Sequence, residues 1–345
     1  MKNISTDNME KRNEQIGKTQ VKICKTRHVF YEEYNKVIYN NFYLYRVLVQ
    51  MPLSVISDDL KKLAIQREEG GFRNLSINKR IIGLSIDAYM PALSTLCLIS
   101  YALNCTPDDI MGYPSEIYDL IYDKEKNDFN DLGNLLILLS QCEFEELVNI
   151  KNAIIDYLNE NVKLEEKIEK TKERNCKIVA KDVADFPLDE CFNELTTRIK
   201  TLRDADTQTH VAECLGIHQA TYQTYEAGNA NMSINILFKI CDLYHRTMTE
   251  MLDPDKKYFR NTVLYTKGGK PSIYNKIIKL ASMLPEDAFE MLYCRVENKK
   301  FETRTLITDS NIFSEDNKNI YTSRRERIDN AKYSRASQIH VRIDK

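Results

Sequence analysis

Thr207-Gln208-Thr209-His210-Val211-Ala212-Glu213-Cys214-Leu215-Gly216-Ile217 runs directly into His218-Gln219-Ala220-Thr221-Tyr222-Gln223-Thr224-Tyr225-Glu226-Ala227-Gly228. Thr207 suits the N-cap of a short helix whose Val211, Ala212 and Leu215 share one face. Gly216 then suits a tight turn, because glycine alone takes positive φ cheaply. Ile217 plugs that turn, and a second short helix follows with Tyr222 and Tyr225 inward at i, i+3. Its Gln219, Ala220, Gln223 and Thr224 are left outward. Two short helices about a glycine turn, the second with an uncharged, amide-rich face, describe a helix-turn-helix.

The stretch resembles the Cro/phage-repressor helix-turn-helix family, also called the XRE family. The likeness lies in Thr207-Gln208, Val211-Ala212, Leu215-Gly216-Ile217, Thr221-Tyr222 and Tyr225-Glu226 with Gly228. It extends upstream to Ile199, Leu202 and Arg203, and downstream to Leu237, Ile240-Cys241 and Glu250-Met251-Leu252. It covers about one sixth of the chain and five consecutive expected helices. It implies a lambda-repressor-like domain over residues 190–256 that binds double-stranded DNA, with helix 218–226 in the major groove.

Physical chemistry assigns the same contacts. Helix N-terminal amides bind phosphate, which puts Thr207, Gln208 and Thr209 against the backbone. Gln219 and Gln223, one turn apart, suit adenine edges, because a glutamine amide pairs bidentately with N6 and N7. Ala220, Thr221 and Thr224 are small enough for close approach and for thymine methyls. Asn229 and Asn231 suit phosphate contacts. His218 stands where the family usually has Ser or Thr; a contact to DNA and a solvated loop histidine both fit it.

An internal repeat extends the reading to the whole chain. Leu60 and Leu63 precede Ile199 and Leu202 by 139 residues, Leu75-Ser76-Ile77 precedes Leu215-Gly216-Ile217 by 140, and Leu96 and Ile99 precede Leu237 and Ile240 by 141. The run Leu135 to Ser140 precedes Ile277 to Ser282 by 142. The expected fold is therefore all-α, in two like units, each a five-helix domain followed by a helical hairpin. Domain 29–127 with hairpin 128–158 is the first unit, and domain 190–256 with hairpin 270–298 is the second. The first is degenerate, with Gly70-Gly71 in its helix-turn-helix and Ile86 and Ala88 where the second has Glu226 and Gly228. Its Lys79 and Arg80 stand on the would-be recognition helix, and residues 61–80 carry six Lys/Arg against two Glu.

Between the units, residues 159–189 read as a charged linker or solvated helix. Ile154, Leu158, Leu164 and Ile168 give it a partial apolar stripe that fits packing on its own domain or on a partner helix. Residues 1–28 read as a flexible basic arm, with seven Lys/Arg against three acids. Residues 299–345 read as a flexible basic tail, and 318–345 hold eight Lys/Arg against three acids. The aromatic residues of 29–49, including Tyr31, Tyr34, Phe42 and Tyr45, fit helical spacing and core packing. Thr262 to Thr266 suits a short strand.

Other classes are disfavoured. Gly numbers 10 and Pro 8, low counts that favour helix over a loop-rich or all-β fold. No apolar run of about 18 residues is present to span a membrane, and a soluble, cytoplasmic protein is expected. Nine cysteines show no Cys-x-x-Cys pair, so they read as reduced core thiols rather than zinc ligands. The five histidines are scattered and no nucleophile turn is present, so neither an enzyme nor a cofactor is expected.

The net charge of -2 does not announce a nucleic-acid binder. Residues 192–253 hold five Lys/Arg against eight acids. From Thr207 to Ser233, however, the only charges are Glu213 and Glu226. Two readings follow. One is a sequence-specific transcriptional regulator of bacterial or mobile-element type, acting as a homodimer or as a pseudo-dimer within one chain. The other is a helical interaction module, an adaptor or anti-repressor, that has lost DNA.

Overall fold

A computed structural model describes residues 36–69, 92–112, 115–123, 125–126, 128–173, 175, 178–228, 232–266, 268–299 and 312–313. The described residues are mostly helical, with one two-stranded sheet. The arm 1–28, Lys79 and Arg80, Gly70-Gly71, Leu75, Asn229, Asn231, and the tail apart from residues 312–313 lie outside the described residues.

The described part of the first half begins with α1, residues 36–48, which buries Ile38, Phe42, Tyr45 and Leu48 at helical spacing. The expected core role of Phe42 and Tyr45 holds; Tyr31 and Tyr34 lie outside the described residues. Helix α2 (Leu53–Glu69) buries Ile56 and Leu60. Helix α3 (Leu93–Ala102) is apolar on nearly every side and buries eight of its ten residues, as a central helix must. Helix α4 (Pro107–Met111) starts at a capping box, in which Thr106 and Asp109 each satisfy the other's backbone, and ends at Gly112 with φ 71°.

Helix α5 (Glu116–Ile121) leads into a hairpin that the sequence reading misses. Its strands β1 (Tyr122–Asp123) and β2 (Asp128–Phe129) pair antiparallel. Helices α6 (Asp131–Leu139) and α7 (Phe144–Asn161) follow as the expected helical pair.

The segment after α7 is neither a solvated helix nor a free linker. It runs without regular structure as a strap over the helices, with Leu164 and Ile168 half-buried against the core. Charged side chains fix it: Lys170 Nζ donates to Asp156 Oδ2 of α7 at 2.6 Å, and Glu173 makes the larger tie. Glu173 accepts from Lys151 Nζ of α7 at 2.7 Å, and its two oxygens lie 2.8 and 2.9 Å from Lys276 Nζ. Lys151 is 1 % exposed, a site that admits an ammonium only when it is paired. Burial alone would raise the Glu173 carboxyl, but the hydrogen bonds from both lysines outweigh it and hold it below the usual range.

A 3-10 turn (Val183–Asp185) precedes the second half. There stand α8 (Leu188–Arg203), α9 (Gln208–Leu215), α10 (Gln219–Glu226), α11 (Ile234–Leu243) and α12 (Met248–Leu252). Beyond α12, buried Asp253 gathers the backbone N–H groups of Lys257, Tyr258 and Phe259 at 2.7–2.8 Å. The short strand expected at Thr262 to Thr266 is reduced to a single bridge, Tyr265 to Pro271. Helices α13 (Ile273–Ala281) and α14 (Glu286–Lys299) are the last helices of the described residues. Of the expected flexible tail, Ile312 is buried in the core and the Phe313 ring lies 4.5 Å from that of Tyr157. Six of the seven described cysteines are buried and none is bridged; Cys214 is half-exposed. No helix of the described residues is long and apolar enough to cross a membrane.

Two substitutions test this packing. Leu215, 1 % exposed, should cost about 2–5 kcal/mol as Leu215→Ala, through lost burial and a cavity. Gly133 faces the hairpin, where an added Cβ would lie 2.4 Å from the Ile121 carbonyl and 2.8 Å from Phe129. Gly133→Ala should lower stability by about 1–3 kcal/mol despite alanine's better helix propensity. Urea midpoints measure both, and a neutral or stabilising Gly133→Ala would contradict the close approach.

Candidate nucleic-acid interface

Helices α9 and α10 present the surface that the sequence singles out. The Thr207 hydroxyl accepts from His210 N at 3.1 Å, capping α9 as expected. Gly216 ends that helix with φ 68°, and Lys239 Nζ donates to the Leu215 carbonyl at 2.7 Å. Val211, Ala212, Leu215 and Tyr222 are buried, so the inward faces of both helices match the pattern read from sequence. Tyr225 is only half-buried.

One polar cluster locks the three helices together. Glu226, 2 % exposed at the end of α10, accepts from Arg203 Nε of α8 at 2.6 Å and from Gln208 Nε2 of α9 at 2.7 Å. Burial alone would raise this carboxyl. The bonds from Gln208 and Arg203, with the Tyr222 hydroxyl alongside, outweigh burial and hold it below the ordinary glutamate range. Arg203 also donates to the Asp206 carbonyl, tying down the turn between α8 and α9.

The cluster engages a residue expected at the phosphate backbone: one N–H of the Gln208 amide donates to Glu226, and the residue is half-buried. Thr207, Thr209, His218, Gln219, Ala220, Gln223 and Thr224 are all exposed, and Thr221 is half-buried. Thr224 Oγ1 donates back to the Thr221 carbonyl at 2.7 Å, which fixes its rotamer. His218 is the N-cap of α10 but makes no side-chain cap bond, so the first amides of α10 are left to solvent or a ligand. Asn229, Asn231, Lys79 and Arg80 lie outside the described residues.

The exposed surface is nearly neutral. Of the two charges between Thr207 and Ser233, Glu226 is buried and paired, which leaves exposed Glu213. Exposed Asp204 and Asp206 stand just upstream. Among the described residues no group of three or more His, Cys, Asp or Glu side chains is placed to hold a metal ion. The role of Arg203 beneath this face is what sequence reasoning missed. Its spacing of 23 residues from Glu226 has no periodic signature, and only the fold brings the C-terminal ends of α8 and α10 together. No protein-family model, curated protein or solved structure matches the chain.

The sign of the Glu226 shift predicts an acid response. A carboxyl held low in the folded state contributes stability that is fully present above its unfolded value and is lost as pH falls through the folded value. Wild-type protein should therefore lose stability more steeply than Glu226→Gln between about pH 5 and about pH 3, while at neutral pH the variant is weaker by about 1–3 kcal/mol. Denaturation midpoints across that range measure it, and equal slopes would remove Glu226 from the acid transition.

Proposed function

We propose that the chain is a sequence-specific DNA-binding regulator built from two related units, the second of which reads base edges through α10. The observation that carries the reading is the outward face of α9 and α10. It is exposed, amide-rich and nearly uncharged, and it is held rigidly from beneath by the Arg203–Glu226–Gln208 cluster. Gln219 and Gln223 stand one turn apart on it, spaced for adjacent bases. The uncapped start of α10 and the first turn of α9 offer amides to phosphate.

The two-unit reading is supported by features apart from apolar spacing. Helices α3 and α11 are ten residues long and start 141 apart. Each is followed by a non-glycine residue with positive φ, Asn104 at 55° and His245 at 53°, again 141 apart. The capping boxes Thr106/Asp109 and Thr247/Glu250 keep that spacing. Helices α6 and α13 are nine residues long, with N-caps Asn130 and Ser272 and C-caps Ser140 and Ser282, all 142 apart. Helix α4 packs on α12 and α6 on α13, while the pairs α7–α13 and α6–α14 also touch. Contacts between equivalents, with crossed pairs about them, are what a twofold relation produces.

Under this reading the second unit supplies specificity, while Lys79, Arg80 and the basic ends supply phosphate neutralisation. The acidic flank of Asp204, Asp206 and Glu213 favours the second reading, a protein-interaction module that has lost DNA. Binding to duplexes recovered from a random pool separates the two. Gln219→Ala or Gln223→Ala should change which sites are preferred, by about 1–3 kcal/mol at the affected base pair. Lys79→Ala with Arg80→Ala should weaken all sequences alike and lower the salt slope by about two units. If the wild-type chain retains no duplex at any salt concentration, the interaction-module reading replaces this one.

A further inference from the structure

Helices α4 and α12 meet where the two halves of the chain join. The Asp108 carboxylate of α4 accepts from the backbone N–H of Met248 at 3.0 Å and of Thr249 at 2.9 Å. On the two-unit reading Asp108 and Thr249 are equivalent residues, 141 apart. A residue that touches its own equivalent lies on the twofold axis, the place where two copies of one unit would meet themselves.

The axis is not occupied by like residues. Met248, whose N–H donates, corresponds to Pro107, which has no N–H to donate. Thr249, buried beside the carboxylate, corresponds to Asp108 itself. A pair of first units would therefore set Asp108 against Asp108 and leave each carboxylate one amide short. A pair of second units would bring four amides together with no carboxylate to receive them. Only the unlike pair matches acceptor to donors. A neighbouring tie has the same one-way character: Asn261 Nδ2 donates to the Tyr45 hydroxyl at 2.8 Å. At the offset of 139 that holds for this part of the repeat, the residue in the place of Tyr45 is Ala184, which has no hydroxyl.

We infer that this joint is specific for unlike units, with α4 as its acceptor half and α12 as its donor half, so that the chain closes on itself and is barred from pairing unit with like unit across two molecules. The inference rests on the two-unit reading. Like charges set face to face at an interface suppress the wrong partner as effectively as good contacts select the right one. Asp108 does both, drawing α12 in and repelling a second α4. The surface that a single-unit protein would use to self-associate is thereby consumed within one molecule.

The test uses the full chain, with light-scattering mass read against concentration and hydrogen exchange read at the Met248 and Thr249 amides. Wild type should be a monomer from about 1 to about 100 μM, with both amides protected. Asp108→Thr puts at position 108 the residue found at its equivalent, Thr249, and removes the charge that would repel a second α4. It should lower protection of the two amides about tenfold or more and produce a dimer that grows with concentration. Asp108→Asn, which keeps an acceptor oxygen without the charge, should fall between. A wild-type chain that already dimerises in this range overturns the inference. So does an Asp108→Thr variant that stays monomeric, whether or not its amides lose protection, since Asp108 would then exclude nothing. Met248 and Thr249 amides that exchange freely in wild type would remove the α4–α12 joint itself, and the two-unit reading would fall with it.

Discussion

Glu226 is taken out of water at the inner end of α10, and each of its carboxylate oxygens is met by a donor from a different helix, Arg203 from α8 and Gln208 from α9. A buried charge is tolerated only when it is paired and hydrogen-bonded, so the three helices are not free to drift relative to one another. The outward residues of α10 inherit that rigidity. Their spacing is set by a contact on the opposite side of the helix, in a cluster built around buried Glu226. Two short helices would otherwise be poor scaffolds, because segments of eight residues are not stable alone in water.

Carboxylates perform the same task elsewhere in the chain. Glu173 clamps the strap to α7 and α13 through two lysines, Asp253 gathers three amides after α12, and Asp108 ties α4 to α12. The chain carries 49 basic and 51 acidic residues, and a share of them is spent inside the fold as joints. This fits the character of the candidate interface, where Glu226 is buried and paired and exposed Glu213 is the charge left between Thr207 and Ser233. Such a surface has little long-range attraction for phosphate and depends on fit at short range.

Much of the second half was legible in its residues, since caps, glycine turns and apolar faces are local signals. Thr207, Gly216, Leu215 and Tyr222 each stand as their neighbours dictate. What the sequence concealed depends on pairs distant along the chain. The strap reads as a solvated charge run because nothing near Glu173 announces Lys151, 22 residues back, or Lys276, 103 residues ahead. Gln208 reads only as a phosphate contact because nothing near it announces Glu226, 18 residues ahead. The hairpin between α5 and α6 went unread because strands of two residues are too short to show an alternating pattern. Ile312 is a single anchor in a polar stretch, and one apolar residue carries no periodicity.

Hydrogen exchange with and without duplex selected from a random pool tests the central claim most directly, because it locates the contact without altering a residue. The account predicts slowed exchange at the first-turn amides of α9 and α10, around Thr209 and Ala220, with α13 and α14 unchanged. Protection confined to other elements, or none between Thr207 and Thr224 at saturating duplex, would contradict it.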